Sequence, residues 1–227
     1  MGQFVFFAMV FFGGQAVAGP TFSDSIEALI IGYFLWTLSG QSYQGVVTII
    51  TREASWGTLE RHFISPFGFG PVLLAKVAAR VLRVVVVSLI VLVLMMLLTW
   101  TWLDMHVLTV VPILTLSILS VIGLGFAMGG LAVLYKQIDS ITALFNFILI
   151  GLIGAPVLNV EWLRAFPLVQ GSAMLQEAIT DGIRIWEFDL VALGILGAVA
   201  VGYFVIGFLG FYITQRRARN LGVLGDY

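Results

Sequence analysis

Marking every Asp, Glu, Lys, Arg and His along the chain leaves six gaps of at least 20 residues: Met1–Ser23, Ala28–Thr51, Val84–Leu103, Val107–Tyr135, Ser140–Val160 and Leu190–Gln215. Each is long enough to cross a hydrocarbon layer of ~30 Å as a helix rising ~1.5 Å per residue. Runs such as Val84–Val87 and Leu89–Leu98 show no apolar–polar alternation, which excludes the ~10-residue strands of a membrane barrel. The pattern therefore predicts an all-α integral membrane protein. Its six transmembrane helices cover about 1–22, 28–51, 80–103, 107–135, 139–159 and 189–214. No internal repeat and no Ser- or Pro-rich linker divides the chain, so residues 1–227 read as one domain.

Three segments do something other than span. In Arg52–Pro71, Trp56, Leu59 and Phe63 recur at i, i+3 and i+7, with Ile64 beside the last, while Glu60, Arg61 and His62 lie off that stripe. This predicts a short amphipathic helix over about 54–64, closed by Ser65-Pro66 because a residue before proline avoids the α region. The glycines and Pro71 then predict a turn. Such a helix either lies in the membrane interface or docks a partner. Lys76, Arg80 and Arg83, spaced 4 and 3 apart, share one helical face. They either snorkel to anionic headgroups or offer a basic way in for an anionic or amphipathic substrate. In Asn159–Asp189, Leu175 and Ile179 repeat at i+4. The segment reads as one or two short helices resting on the outer interface, with a dip back into the membrane as the alternative. Trp162 and Trp186 are expected at headgroup level.

Composition agrees. The 227 residues are 60% hydrophobic and only 10% charged, with a mean hydropathy of +1.08, against about 45–50% and about 25% for soluble domains. Charge distribution sets the orientation. Arg52, Arg61, Lys76, Arg80, Arg83, Lys136, Arg216, Arg217 and Arg219 fall on one side of a six-span chain, and only Arg164 and Arg184 on the other. Both termini are therefore expected inside. Ala16-Val17-Ala18 resembles a signal-peptidase site, but residues 2–15 carry no Lys or Arg, so the first span is expected to be retained. That span starts at residue 1, and a natural cytoplasmic leader is expected to be missing before it. Gly125/Gly129 and Gly194/Ala198/Gly202 form small-residue faces, expected to serve packing within the chain rather than a dimer seam.

Several chemistries lack their residues. Cysteine is absent, and neither Lys76 nor Lys136 lies in a P-loop. His62 and His106 should face opposite sides, so no metal site is expected. No charge lies in the central part of any span, which argues against ion-coupled transport and for an energy source outside the chain. Ser88, Ser117 and Ser120 have no His or Asp at their depth to make a catalytic set. Phe126, Phe145 and Phe147 either line a path or face lipid.

The segment REASWGTLERHFISP, Arg52–Pro66, resembles the cytoplasmic signature of the ABC-2 type permeases, roughly E-x-x-x-G-T-L-E-x-x-x-x-S-P. Glu53, Gly57, Thr58, Leu59, Glu60, Ser65 and Pro66 carry the match, between spans two and three as in that family. The resemblance implies the membrane half of an ATP-driven exporter for amphipathic, lipid-like or glycan substrates. Two such subunits, identical or related, would pair in the cytoplasmic membrane, each docking a separate ABC ATPase. That partner would bind the ATP and Mg, leaving this chain without cofactor, metal or catalytic residue, and with no nucleic-acid partner. Glu53, Trp56, Gly57, Thr58, Leu59, Glu60, Phe63, Ser65 and Pro66 would form the coupling helix, with Glu60 the preferred polar contact. A channel or scaffold without an ATPase, and a lipid-modifying enzyme using the outer acidic residues, are the alternatives. A scaffold has no evident need for Glu53–Pro66, and the outer acids have no histidine beside them.

Overall fold

The computed structural model describes residues 23–55, 69–103, 105–135, 139–158 and 160–220. The first predicted span lies outside them, as does the predicted coupling helix beyond Ser55. Six α-helices occur among the described residues: α1 Ser23–Ser55, α2 Phe69–Thr99, α3 Val107–Tyr135, α4 Asp139–Gly154, α5 Val169–Thr180 and α6 Leu190–Asn220. Two 3-10 turns, Ala155–Leu158 and Glu161–Ala165, join α4 to α5. By length and composition, α3 and the stretches Gly70–Thr99 and Leu190–Ala218 can each cross a membrane. The chain is thus an all-helical integral membrane protein. α1, at 33 residues, is long enough as well, but it carries Thr37, Ser39, Gln41, Ser42 and Gln44 in its middle.

Boundaries depart from expectation where charge and helix do not coincide. α3 matches the expected 107–135 at both ends. α1 runs past the expected 51 through Arg52 and Glu53, and Ala54 and Ser55 belong to it rather than to a separate coupling helix. A charged side chain marks where lipid ends, not where backbone hydrogen bonding ends. For the same reason α2 begins at Phe69, well before the expected 80. Gly70 and Pro71 lie in its first turn and not in a preceding loop, because proline there forfeits only an N–H that has no partner in the helix. α2 stops at Thr99, short of the expected 103, where Trp100 takes a left-handed φ of 55°. That position usually falls to glycine. α4 gives way to a 3-10 turn at Ala155-Pro156, since proline cannot continue the α-helical ladder.

Contacts fix the relative directions of the helices. Val46 packs on Gly125 and Ile50 on Gly129, so α1 and α3 run parallel. Gly123 lies on the Tyr203–Phe204 backbone and Gly130 on Phe211 and Thr214, so α3 and α6 are also parallel. Gly45 meets Arg80, and Glu53 meets Lys76, so α2 runs antiparallel to α1. α3 is the central helix, flanked by α1, α5 and α6. Its fully buried Phe126 meets Phe204, Phe208 and Phe211 of α6 at ring-centroid distances of 6.0, 5.4 and 5.9 Å. Phe126 is therefore core, lining no path and facing no lipid.

The small-residue faces divide. Gly125 and Gly129 do pack within the chain, against α1. Gly194 and Gly202 have open space where a Cβ would stand, and Ala198 is exposed, so that face packs on nothing within the described chain. Among the described residues the closest approach of one backbone to another involves two other glycines, Gly123 and Gly207, on α3 and α6.

The outer segment corrects an expectation. α5 does not rest on the surface: Val169, Gln170, Gly171, Ser172, Met174, Leu175, Ala178 and Ile179 are buried, and it packs on α3, α1 and α4. Gly171 lies so close to Ser117 that a Cβ would overlap the hydroxyl. Ser117 is ten residues into α3, about 15 Å along its axis. The Ile185 N–H donates to Thr109 Oγ1 at 3.1 Å, near the start of α3. The chain between them thus climbs from well inside the bundle back to the end where α3 starts. Leu168, buried and with φ 70°, makes the deep turn that starts α5.

Candidate transport site: an inner cleft and a polar groove

A basic cleft forms where α1 ends and α2 begins. Glu53, in the last turn of α1, is buried. Lys76, two turns into α2, donates from Nζ to Glu53 Oε1 at 2.5 Å. A carboxylate leaving water needs such a partner, because an uncompensated buried charge costs several kcal/mol, roughly 3–5 when one member of a buried pair is removed. The Glu53–Lys76 pair thus ties together the two helix ends that flank residues 56–68. Of the predicted coupling residues, Glu53 alone is described. Trp56, Gly57, Thr58, Leu59, Glu60, Phe63, Ser65 and Pro66 lie outside the described residues.

Lys76, Arg80 and Arg83 share a face, as their spacing predicts, and with Ile49, Arg52, Glu53 and Ala79 they line a cleft of about 340 Å³. Gly45 gives Arg80 its place: a Cβ there would stand 3.2 Å from Arg80 Cγ and 3.3 Å from Nε. The arginine stem therefore lies across α1.

A second hollow of about 270 Å³ lies between α1 and α4, farther from the C-terminal end of α1. Trp36, Thr37, Gly40, Gln41 and Gln44 line it from α1, and Ala143, Asn146, Phe147 and Ile150 from α4. Thr37, Gln41 and Gln44 stand at i, i+4 and i+7, one helical face. Asn146 donates to the Thr142 carbonyl at 3.4 Å, and its Oδ1 lies 3.1 Å from where a Cβ on Gly40 would stand. Phe147 is exposed at the groove, whereas Phe145 turns inward and stacks on Tyr43 at 6.2 Å. Amides among aromatic and aliphatic walls suit an amphipathic guest, offering hydrogen bonds without a fixed charge. A search for charged residues at depth misses this groove. The amide spacing Gln41/Gln44, in a span otherwise able to be apolar, is the signal that marks it.

At the opposite end of the helices Trp162 and Trp186 are exposed, and Trp100 and Trp102 join them. Trp162 packs edge-on against Phe166 at 5.8 Å, and the Arg184 guanidinium lies 5.5 Å above the Trp186 ring. Amphipathic rings with a polar neighbour are the side chains that favour a membrane–water boundary.

No curated protein and no solved structure matches the chain. The family model described as ABC-2 type transporter matches residues 1–182, which reach through α5 and stop short of α6. The packing of α6 along α3 joins that last helix to the same bundle. With that model matching about four fifths of its length, the chain belongs to the ABC-2 type transporter family, as an integral membrane permease.

Proposed function

We propose that this permease is the membrane subunit of an exporter powered by ATP hydrolysis on a separate ABC ATPase, with six spans and both termini in the cytoplasm. Two copies, or one copy and a related permease, complete the unit in the cytoplasmic membrane. Residues 54–64 dock the ATPase, and the substrate is amphipathic, lipid-like or a glycan carried on a lipid. The observation that carries this reading is the Glu53–Lys76 pair. A docking segment does work only if its flanks move as a unit. Here the residue that opens the motif is locked to the next helix, so a push on the segment is passed to α1 and α2 together. The amide-lined groove between α1 and α4 lies along the first of those helices and supplies a place for the substrate. Nucleotide then biases two arrangements of the bundle by binding one better than the other.

The test is ATPase stimulation by the reconstituted permease. Leu59→Asp puts a charge into the apolar seat of the docking helix and should abolish stimulation while leaving membrane insertion intact. Glu60→Ala should weaken it by a smaller factor, because a rim charge contributes about 1 kcal/mol or less. Wild-type stimulation by an inserted Leu59→Asp chain would mean that this segment only lies on the membrane.

A further inference from the structure

We propose that the cleft between α1 and α2 is a binding site for an inner-leaflet phospholipid, with Arg80 and Arg83 holding the phosphate and an exposed stripe of α2 carrying the acyl chain. Three observations converge on this. Five charged residues line the cleft, four basic and one acidic, for a net charge of +3. The one acid, Glu53, holds Lys76, and its single charge leaves the lining basic overall. An anion completes this lining, and the planar guanidinium fork matches two phosphate oxygens at once.

The second observation is the space itself. An arginine that merely snorkels lays its stem along the protein and needs no cavity beside it. Here the Arg80 stem is laid onto Gly45, beside a hollow of about 340 Å³. The third is what lies beyond Arg83. Val87, Ile90 and Leu94 follow it at i+4, i+7 and i+11 on one face, and they are 45%, 55% and 44% exposed. A different face of α2, made by Val77, Val84, Ser88, Leu92 and Met95, is buried. A phosphate seated on the arginines would therefore have its tail against an apolar track that begins one turn away. The combination selects a phosphate with a chain attached over either part alone. This inference takes its leaflet from the proposed orientation and nothing from ATPase coupling, so the site and the coupling can fail separately.

The experiment uses the full-length permease in a neutral detergent and follows displacement of a fluorescent phosphatidylglycerol. Dioctanoyl phosphatidylglycerol is compared with dioctanoylglycerol, which keeps the tails without phosphate, and with sn-glycerol 3-phosphate, which keeps the phosphate without tails. The phospholipid should compete at least about tenfold better than either fragment. R80Q/R83Q should erase that preference, R80K/R83K, which keeps the charges but loses the planar fork, should keep only part of it, and R164Q/R184Q on the outer side should leave it unchanged. Gly45→Leu, which moves Arg80 without removing a charge, should weaken the phospholipid several-fold, and it serves as the decisive variant if R80Q/R83Q does not fold. Equal competition by dioctanoylglycerol would reduce the site to a greasy surface. Equal competition by glycerol phosphate would make it a free-phosphate site. Wild-type preference in R80Q/R83Q, or in Gly45→Leu where that variant decides, would overturn the assignment.

Discussion

Gly207 of α6 lies directly on the carbonyl of Gly123 of α3, with no room for a Cβ on either. Substituting Gly207 with Val forces side-chain atoms into backbone that cannot swing aside. Overpacking a well-filled interior costs about 1–3 kcal/mol, and this case should reach the top of that range or exceed it. Gly194→Val and Gly202→Val, where a Cβ meets nothing, should stay within about 0.5 kcal/mol. Midpoints of thermal unfolding in detergent, followed by tryptophan fluorescence, separate the two classes. Equal midpoints would mean that α3 and α6 are not in backbone contact.

Breaking the Glu53–Lys76 pair should destabilise less than breaking a fully buried one, because the Lys76 side chain is 44% exposed. Glu53→Gln and Lys76→Met are each expected to cost about 1–2 kcal/mol, below the roughly 3–5 kcal/mol of an enclosed pair. The exchange Glu53→Lys with Lys76→Glu should recover part of the loss, and a double-mutant cycle on unfolding midpoints measures the coupling. Additive single effects would show that the two charges do not communicate.

The inward position of α5 is open to chemical mapping, since the chain has no cysteine of its own. Ser172→Cys replaces a fully buried hydroxyl, and Asp181→Cys an exposed carboxylate just past the end of α5. A membrane-impermeant maleimide applied from outside should label the second at least about tenfold faster than the first, as expected from thiol access. Similar rates would return α5 to the surface.

Filling the polar groove should impair transport without unfolding the chain. Leucine at Gly40 would project toward Asn146 and occupy space between α1 and α4. Transport, or substrate-stimulated ATPase activity, is expected to fall about tenfold, the equivalent of ~1.4 kcal/mol of lost substrate binding. Retention of full activity would place the substrate elsewhere.

Orientation follows from the basic residues and is checked directly. A reporter fused after Tyr227 should be cytoplasmic, and one inserted after Asp181 should be extracellular. The opposite pair of results would invert the membrane placement while leaving the helix packing untouched.

What could be read in the sequence depended on whether charge and structure change at the same residue. They do at α3, where His106 and Lys136 bracket the helix and both ends were legible. They do not at α2, whose first turns carry Lys76, Arg80 and Arg83 in helical conformation below the uncharged run. α5 was legible as a helix but not as a buried one, since the Leu175/Ile179 repeat is the same whether the apolar face meets lipid headgroups or Ser117. The basic face was legible because it lies within one helix. The groove was not, because it is made of uncharged amides and joins residues about a hundred positions apart, Gly40 and Asn146 among them. Gly123 and Gly207 are ordinary glycines in sequence, and only the crossing of α3 and α6 gives them a task.

The crossing also decides where the bundle is free to change shape. Where Gly123 and Gly207 meet there are no rotamers to exchange, and with Phe126 packed among three α6 phenylalanines beside them, α3 and α6 form a single stator. The seam between α1 and α2 is of another kind. It holds a long arginine laid over a glycine and one ion pair at its base, which can act as a pivot. Any stroke that opens the permease should therefore swing α2 about its inner end, leaving the pair of parallel helices behind it still.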